Sequence, residues 1–333
     1  MVLSEKVIKS INKYLSISSK YNISIGVIMG NDCYTTTISN GNKIDDELYY
    51  DIGSISKTFT AHMILKCVNA GLINLDDKLD KYIKLKEKEY PTIRELLSHS
   101  CGFNHITPVE IVVPALLSRR YSKRNIYENI TNDRIISLLN KKRLSKKRYY
   151  SYSDFNYAIL GVVLSSIYNK PFGELMSEFI KDELKLENTD VSYNVNRNLD
   201  GYIKNKKVKF WKWNKNNPYI SGGGIASTIQ DMVKYINIQI NSNEGYITDC
   251  HVPQKFQSKS NIIPCLGWHT YDNSNQLWHV GGVGTFRSSV IINKHKKIGV
   301  VVLGNASGRK SANVHYITKL IYSEIKRRKI KIK

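Results

Sequence analysis

Apolar and polar positions recur along this chain with two different periods. Val7, Ile8, Ile11 and Leu15 fall at three- and four-residue intervals, which predicts an amphipathic helix over residues 4–19. Ile23–Met29 and Tyr34–Ile38 read as strands, and Asn40-Gly41 marks a turn. From Ser54 to Ala70 the spacing is helical again, with Phe59, Met63, Ile64 and Cys67 on one stripe. Shorter helical pieces follow at Thr92–His99 and Asp133–Asn140, then longer ones at about Phe155–Tyr168 and Phe172–Lys181. Gly222-Gly223-Gly224 precedes a helix that opens at Ser227 or Thr228. Leu277–Gly281, Ser288–Ile292 and Ile298–Leu303 predict strands, and about Ser311–Arg328 predicts a last helix.

Strands at both ends with helices between them have one economical solution. An antiparallel sheet built from both termini is flanked by the terminal helices, and an all-helical lobe is inserted in the middle. The expected class is α/β (α+β). The expected organisation is a single domain over 1–333, with a sheet lobe at about 1–70 and 220–333 and a helical lobe at about 71–219.

Composition narrows the picture. With 41% hydrophobic residues the 333-residue chain is not disordered. No apolar run approaches the roughly 20 residues of a membrane span, and the first residues, MVLSEKVIKSINKY, lack a secretory apolar region. The expectation is a cytoplasmic protein. Cys33, Cys67, Cys101, Cys250 and Cys265 are odd in number and form no CxxC, which points to buried thiols and away from disulfides or a metal site. The net charge of +22 raises nucleic acid as a partner. Its densest clusters, Lys141–Arg148 and Lys326–Lys333, carry no interleaved aromatics. A solvated basic surface is the leading reading, and a weak, salt-sensitive polyanion contact is the other.

Chemistry enters at Ser54-Ile55-Ser56-Lys57. A serine and a lysine at i and i+3 share one helix face. A serine hydroxyl becomes a nucleophile when a neighbouring base takes its proton, and a lysine can serve if its ammonium is disfavoured. Alone, the motif equally describes a helix cap beside a surface lysine. Two further segments add weight: Tyr152-Ser153-Asp154 before an apolar helix, and His279-Val280-Gly281-Gly282 on a predicted strand.

The order and spacing of these segments resemble the serine β-lactamase-like and penicillin-binding-protein superfamily, in its class C, DD-peptidase and esterase branch. The likeness runs from about residue 45 to 305. It takes in Asp51-Ile52-Gly53-Ser54 through Ala61, Gly71-Leu72-Ile73-Asn74-Leu75-Asp76-Asp77, Thr92 through Gly102, and Gly222 through Thr228. It implies a β-lactamase/transpeptidase-like fold with a site between sheet and helical lobe, and no cofactor. It implies Ser54 as the nucleophile of an acyl-enzyme, Lys57 taking or relaying its proton, and Tyr152 in acid–base work on the leaving group. The backbone N–H groups of Ser54 and Gly282 become the oxyanion donors. Asp154, His279 and Gly281 contact substrate, with His279 polar and protonatable near pH 7 where relatives often carry Lys.

The chain departs from the pattern at Asp154, where relatives usually have Asn. An ionised carboxylate only accepts hydrogen bonds. It either holds Lys57 as ammonium or selects amine-bearing substrates. A register on Ser153-Asp154-Phe155 is the alternative to the tyrosine register. Thr285 replaces a usual Gly, and the Pro-Gly turn before the tyrosine is absent. His99 and the 222–224 glycines read as structural, and of Trp211, Trp213 and Trp278 at least two read as core. The expected activity is serine hydrolysis of a peptide, amide or ester: a D-amino-acid peptidase or carboxypeptidase or an esterase, with β-lactamase behind both. The alternative is a catalytically weak relative kept as a binding or scaffold protein. The oligomeric state is left open.

Overall fold

The computed structural model describes residues 3–327 except 46, 104–106, 118–124, 146–147, 257–260, 273 and 308–312. The basic stretch 328–333 and two lysines of the Lys141–Arg148 cluster therefore lie outside the described residues. In chain order the first elements are α1 (Glu5–Leu15), β1 (Asn22–Met29), β2 (Asp32–Ser39), β3 (Asn42–Ile44), β4 (Tyr50–Asp51) and α2 (Ser56–Asn69). Then come α3 (Ile93–Leu97), α4 (Val109–Leu117), α5 (Asn132–Lys141), α6 (Asp154–Tyr168) and α7 (Phe172–Glu178). The short strands β5 (Thr189–Val191), β6 (Gly201–Ile203) and β7 (Lys206–Val208) lead to α8 (Ile220–Gly223), β8 (Ile225–Ser227), α9 (Ile229–Asn241) and α10 (Gly245–Thr248). The chain closes with β9 (Ile262–Pro264), β10 (His269–Tyr271), β11 (Leu277–Val283), β12 (Phe286–Asn293), β13 (Ile298–Gly304) and α11 (Val314–Lys326).

An eight-stranded antiparallel sheet runs β3-β2-β1-β13-β12-β11-β10-β9, so strands from both ends of the chain meet at its centre. There Ile25 pairs with Val302 and Val27 with Val300. Every residue of β13 is buried, because helices cover both faces. On one face α1 and α11 bring Val7, Ile11 and Tyr14 together with Ile317, Ile321 and Ile325. Ser4 fixes their ends twice: its hydroxyl caps α1 by accepting from Val7 N–H and donates to Glu324 at 2.6 Å. On the other face α9 lies directly on the backbone. A Cβ at Gly26 would come within 2.3 Å of Val233, and one at Gly299 within 2.9 Å of Ile236.

Some sequence expectations need correction. Ile8 is 45% exposed, since the buried stripe of α1 is Val7-Ile11-Tyr14 and Ile8 lies about 100° round the helix from Val7. The middle segment is not all-helical. It carries β5, which joins β4 and β8 in a small sheet, and the β6–β7 hairpin. Short pieces of three residues have no periodicity to detect. Thr228, not Ser227, caps α9, its hydroxyl accepting from Asp231 N–H. Among the described residues no helix is long and apolar enough to cross a membrane, and the five cysteines are free thiols, four of them buried.

Candidate active site

Backbone contact between two distant segments sets the position of Ser54. Gly53 has φ +53° and opens a 3-10 turn, Gly53–Ile55, that runs into α2. A Cβ at Gly53 would lie 2.5 Å from Gly282 N, and one at Gly281 would lie 2.0 Å from Ile52 O. Only bare backbone lets the turn dock on β11 this closely. Ser288, on β12 beside Gly281, donates its hydroxyl proton to Ile52 O at 2.6 Å and fastens the docking. Below it Asp51, 1% exposed, accepts from Arg197 at 2.7 and 3.0 Å and from the Ser192 hydroxyl at 2.6 Å. The Arg197 guanidinium also lies 4.3 Å over the Phe210 ring.

Lys57 is one turn further on and wholly buried. Its Nζ stands 3.2 Å from Ser54 Oγ, 2.7 Å from Asp154 Oδ1 and 2.7 Å from Gly222 O. An ammonium donates to all three. A neutral amine would donate to the carboxylate and the carbonyl and turn its lone pair to the Ser54 hydroxyl. Burial by itself would lower the lysine, but Asp154 and Tyr152 outweigh it and hold Lys57 above its ordinary value. Asp154 is engaged on both oxygens, since the Tyr127 hydroxyl donates to Oδ2 at 3.2 Å. Tyr127 stacks on Tyr219 at 3.9 Å between ring centroids. Asp154 thus serves Lys57 and Tyr127 rather than facing the cleft as a free carboxylate.

Tyr152 lines the cleft with Ser54, whereas Ser153 is buried and donates its backbone N–H to His99 Nδ1 at 3.1 Å. The Lys57 ammonium sits 5.1 Å from the Tyr152 ring centroid. Burial raises the Tyr152 phenol above its ordinary value, although Lys57 and Ser54 pull the other way. His99 packs against Tyr152 at 4.5 Å and so sets the tyrosine's orientation from behind.

The cleft encloses about 550 Å³. His279 and Gly281 on β11 line it, together with Trp278, Tyr150 and His269. The resemblance left His279 protonatable near pH 7, and its surroundings oppose that. Burial, then His269 and the Lys57 ammonium, hold it well below its ordinary value, so it is neutral at pH 7. Its Nδ1 donates to Val280 O at 2.9 Å, leaving Nε2 an acceptor without a protein partner among the described residues. His269 accepts or donates through Nε2 to the Tyr150 hydroxyl at 2.9 Å, and burial lowers it to about 4. Trp213 is core, Trp278 lines the cleft, and Trp211 sits against Gly284.

Sequence reasoning missed Tyr127, Tyr150, His269 and Arg287. Tyr127 stands in a turn and His269 opens the three-residue strand β10, and neither lies in a motif. Arg287, the register partner of Gly282 across β11–β12, stands one residue before the run Ser288–Ile292 that predicts a strand. No group of three or more His, Cys, Asp or Glu side chains that could hold a metal occurs among the described residues.

The family model for Beta-lactamase matches residues 24–322. Among curated proteins, Protein flp of Staphylococcus aureus strain MW2 is 24% identical over 293 residues, 82% of this chain and 54% of its own. Beta-lactamase-like protein 4 of Dictyostelium discoideum is 26% identical over 75% of this chain and 49% of its own. The chain thus spans about half the length of these relatives. Among solved structures, the octameric penicillin-binding protein homologue from Pyrococcus abyssi superposes with a TM-score of 0.76 at 23% identity, over 97% of this chain and 77% of that one. The Beta-Lactamase/D-Alanine Carboxypeptidase from Pseudomonas syringae gives 0.78 at 16% identity, over 96% and 98%. At these identities the superpositions establish the fold.

Proposed function

For a chain that belongs to the Beta-lactamase family, we propose a serine acyl-hydrolase that works through an acyl-enzyme on Ser54. One observation carries this reading: Ser54 Oγ stands 3.2 Å from the buried Lys57 Nζ and opens onto a cleft lined by Tyr152 and Gly282. Ser54 Oγ attacks the acyl carbon while its proton passes to the deprotonated member of the Lys57–Tyr152 pair. The carbonyl oxygen, now an oxyanion, accepts from the N–H groups of Ser54 and Gly282. The same pair returns the proton to the departing amine or alcohol; water then attacks the ester on Ser54 with the pair accepting its proton, which passes to Ser54 Oγ as the carboxylic acid departs. Because Asp154 and Tyr152 favour the lysine ammonium and burial favours the Tyr152 phenol, the basic form is scarce at neutral pH. Turnover in this scheme rises toward alkaline pH.

The substrate class is a peptide, amide or ester. A D-amino-acid peptidase or carboxypeptidase and an esterase are the two leading forms, ahead of a β-lactamase. The Asp154–Lys57 ion pair favours one second reading, a relative with weak catalysis that retains binding. A fluorophosphonate followed by intact mass and peptide mapping tests the proposal. The adduct is expected on Ser54 and absent from Ser54→Ala at unchanged melting temperature. Labelling that persists in that variant overturns the assignment.

A further inference from the structure

The net charge of +22 is not spread evenly along the chain. Residues 201–217 hold six lysines and no acidic side chain, and they open with the β6–β7 hairpin, which the serine chemistry does not use. Its tip carries Ile203, 55% exposed and the most exposed large apolar side chain among the described residues. Ile203 pairs across the hairpin with Lys206, and Lys204, Lys207 and Lys209 are exposed around it.

Several bonds fix the hairpin in place. Lys204 N–H donates to the Tyr21 hydroxyl at 3.0 Å, the Ser18 hydroxyl donates to Asn205 Oδ1 at 2.6 Å, and Tyr202 N–H donates to Asn305 O at 3.2 Å. The exposed Lys20, between Ser18 and Tyr21 in the chain, is thereby set beside the tip. Asp200 pairs with Lys207 at 2.6 Å, whereas Lys20, Lys204, Lys206 and Lys209 have no ion-pair partner among the described residues. Like charges gathered this way repel one another, and an isoleucine at their centre stays in contact with water. An anionic surface with an apolar interior relieves both.

The aromatics of the same segment decide between two kinds of anionic partner. A single-stranded nucleic acid needs aromatic faces on which its bases stack. Phe210 is already engaged, with the Arg197 guanidinium over it at 4.3 Å and Phe286 stacked at 5.7 Å. Trp213 is core, and Trp211 meets Trp213 and Tyr127, each at 6.1 Å between centroids. An isoleucine ringed by lysines instead matches the face of a bilayer, where ammonium groups meet lipid phosphates and an apolar side chain enters the acyl boundary.

We propose that the β6–β7 hairpin docks on an anionic phospholipid surface, with Ile203 entering the headgroup layer and Lys20, Lys204, Lys206 and Lys209 contacting lipid phosphates. The hairpin adjoins the cleft: a Cβ at Gly201 would lie 2.1 Å from Thr285 Oγ1, and one at Gly284 would lie 3.4 Å from Trp211. Docking therefore sets the β11–β12 turn, which follows Gly282, beside the bilayer.

The test is co-sedimentation of the whole chain with vesicles of phosphatidylcholine alone and of phosphatidylcholine and phosphatidylglycerol in equal parts. Binding is expected to the anionic vesicles and is expected to weaken as salt is raised. Lys206→Gln and Lys209→Gln are each expected to weaken it about fivefold, and Ile203→Ser about tenfold. Lys296→Gln, in the turn between β12 and β13 at the other end of the strands, should bind as wild type does. Equal binding to both vesicles, no binding at low salt, or undiminished binding by the Lys206 and Lys209 variants overturns the proposal. So does undiminished binding by Ile203→Ser, the result that a surface for nucleic acid or another polyanion would give. Should a variant fail to fold, hydrogen exchange on wild type decides. Anionic vesicles should protect the amides of residues 203–209, and protection confined to other segments refutes the site. None of these readouts involves Ser54, so they stand apart from the hydrolase reading.

Discussion

Asp154→Asn changes one charge at nearly constant volume and so isolates what the carboxylate does to Lys57. At 2.7 Å and an effective dielectric of about 20, the attraction between the two charges is about 6 kcal/mol. Part of it offsets the burial of an ammonium with no exposed surface. The Asn carbonyl keeps a hydrogen bond to Nζ but loses the charge. Removing an anion from beside a lysine lowers the lysine's affinity for its proton, so free amine is present at lower pH. The acidic limb of kcat/KM is therefore expected to move toward neutrality by about one pH unit or more, and activity at pH 7 to rise about tenfold. The assay is hydrolysis of a neutral p-nitrophenyl ester across the pH range, with melting temperature and Ser54 labelling measured on the same samples. Tyr127→Phe is the companion variant. It removes the hydrogen bond on Oδ2 while leaving the ion pair, and should move the limb less. A limb that stays in place in Asp154→Asn refutes the electrostatic argument. So does a folded variant that has lost Ser54 labelling, which would make the carboxylate indispensable to the site.

Three further outcomes follow from the packing. Acid should destabilise the protein through its buried histidines: burial holds His62 and His251 to about 3 and His269 to about 4, against 6.5 when unfolded. The unfolded chain takes up these protons first, so stability is complete above pH 6.5 and is lost as pH falls toward 4, at about 3 kcal/mol for His269 alone, read as a falling melting temperature. Gly281→Ala places a methyl 2.0 Å from Ile52 O; it is expected to abolish Ser54 labelling by displacing the turn, whereas Gly41→Ala, with no neighbour near its Cβ position, should leave labelling intact. Arg197→Ala leaves the Asp51 carboxylate buried without its counter-charge and should cost about 3–5 kcal/mol in chemical denaturation.

Elements long enough to show a period were legible in the sequence. Phe155–Tyr168 falls one residue inside the observed α6, and the β11, β12 and β13 runs fall inside the observed strands. Three-residue pieces such as β5 and β10 were not, since pairing partners far away in sequence decide them. The motif segments singled out Ser54, Lys57, Tyr152 and His279, which the fold gathers around one cleft. The charge state of His279 was invisible, as burial is a property of the whole fold. For the same reason nothing in the sequence connected Tyr127 to Asp154, or Arg197 to Asp51, which are joined by loops that carry no pattern of their own.

The docking of Ile52 on Ser288 joins residues 236 positions apart, and this has a consequence in time. Ser54 and Lys57 meet as soon as one helical turn forms, a local event. The backbone wall opposite them comes from strands more than two hundred residues downstream, and closing so long a loop is the slow part of assembling such a chain. A chain halted before β11 would carry the serine and the lysine side by side yet lack Gly282, the second of the two proposed oxyanion donors. Ser54 labelling during refolding should therefore lag behind the recovery of helical signal and coincide with closure of the sheet, making the reactivity of Ser54 a clock for the final step of folding.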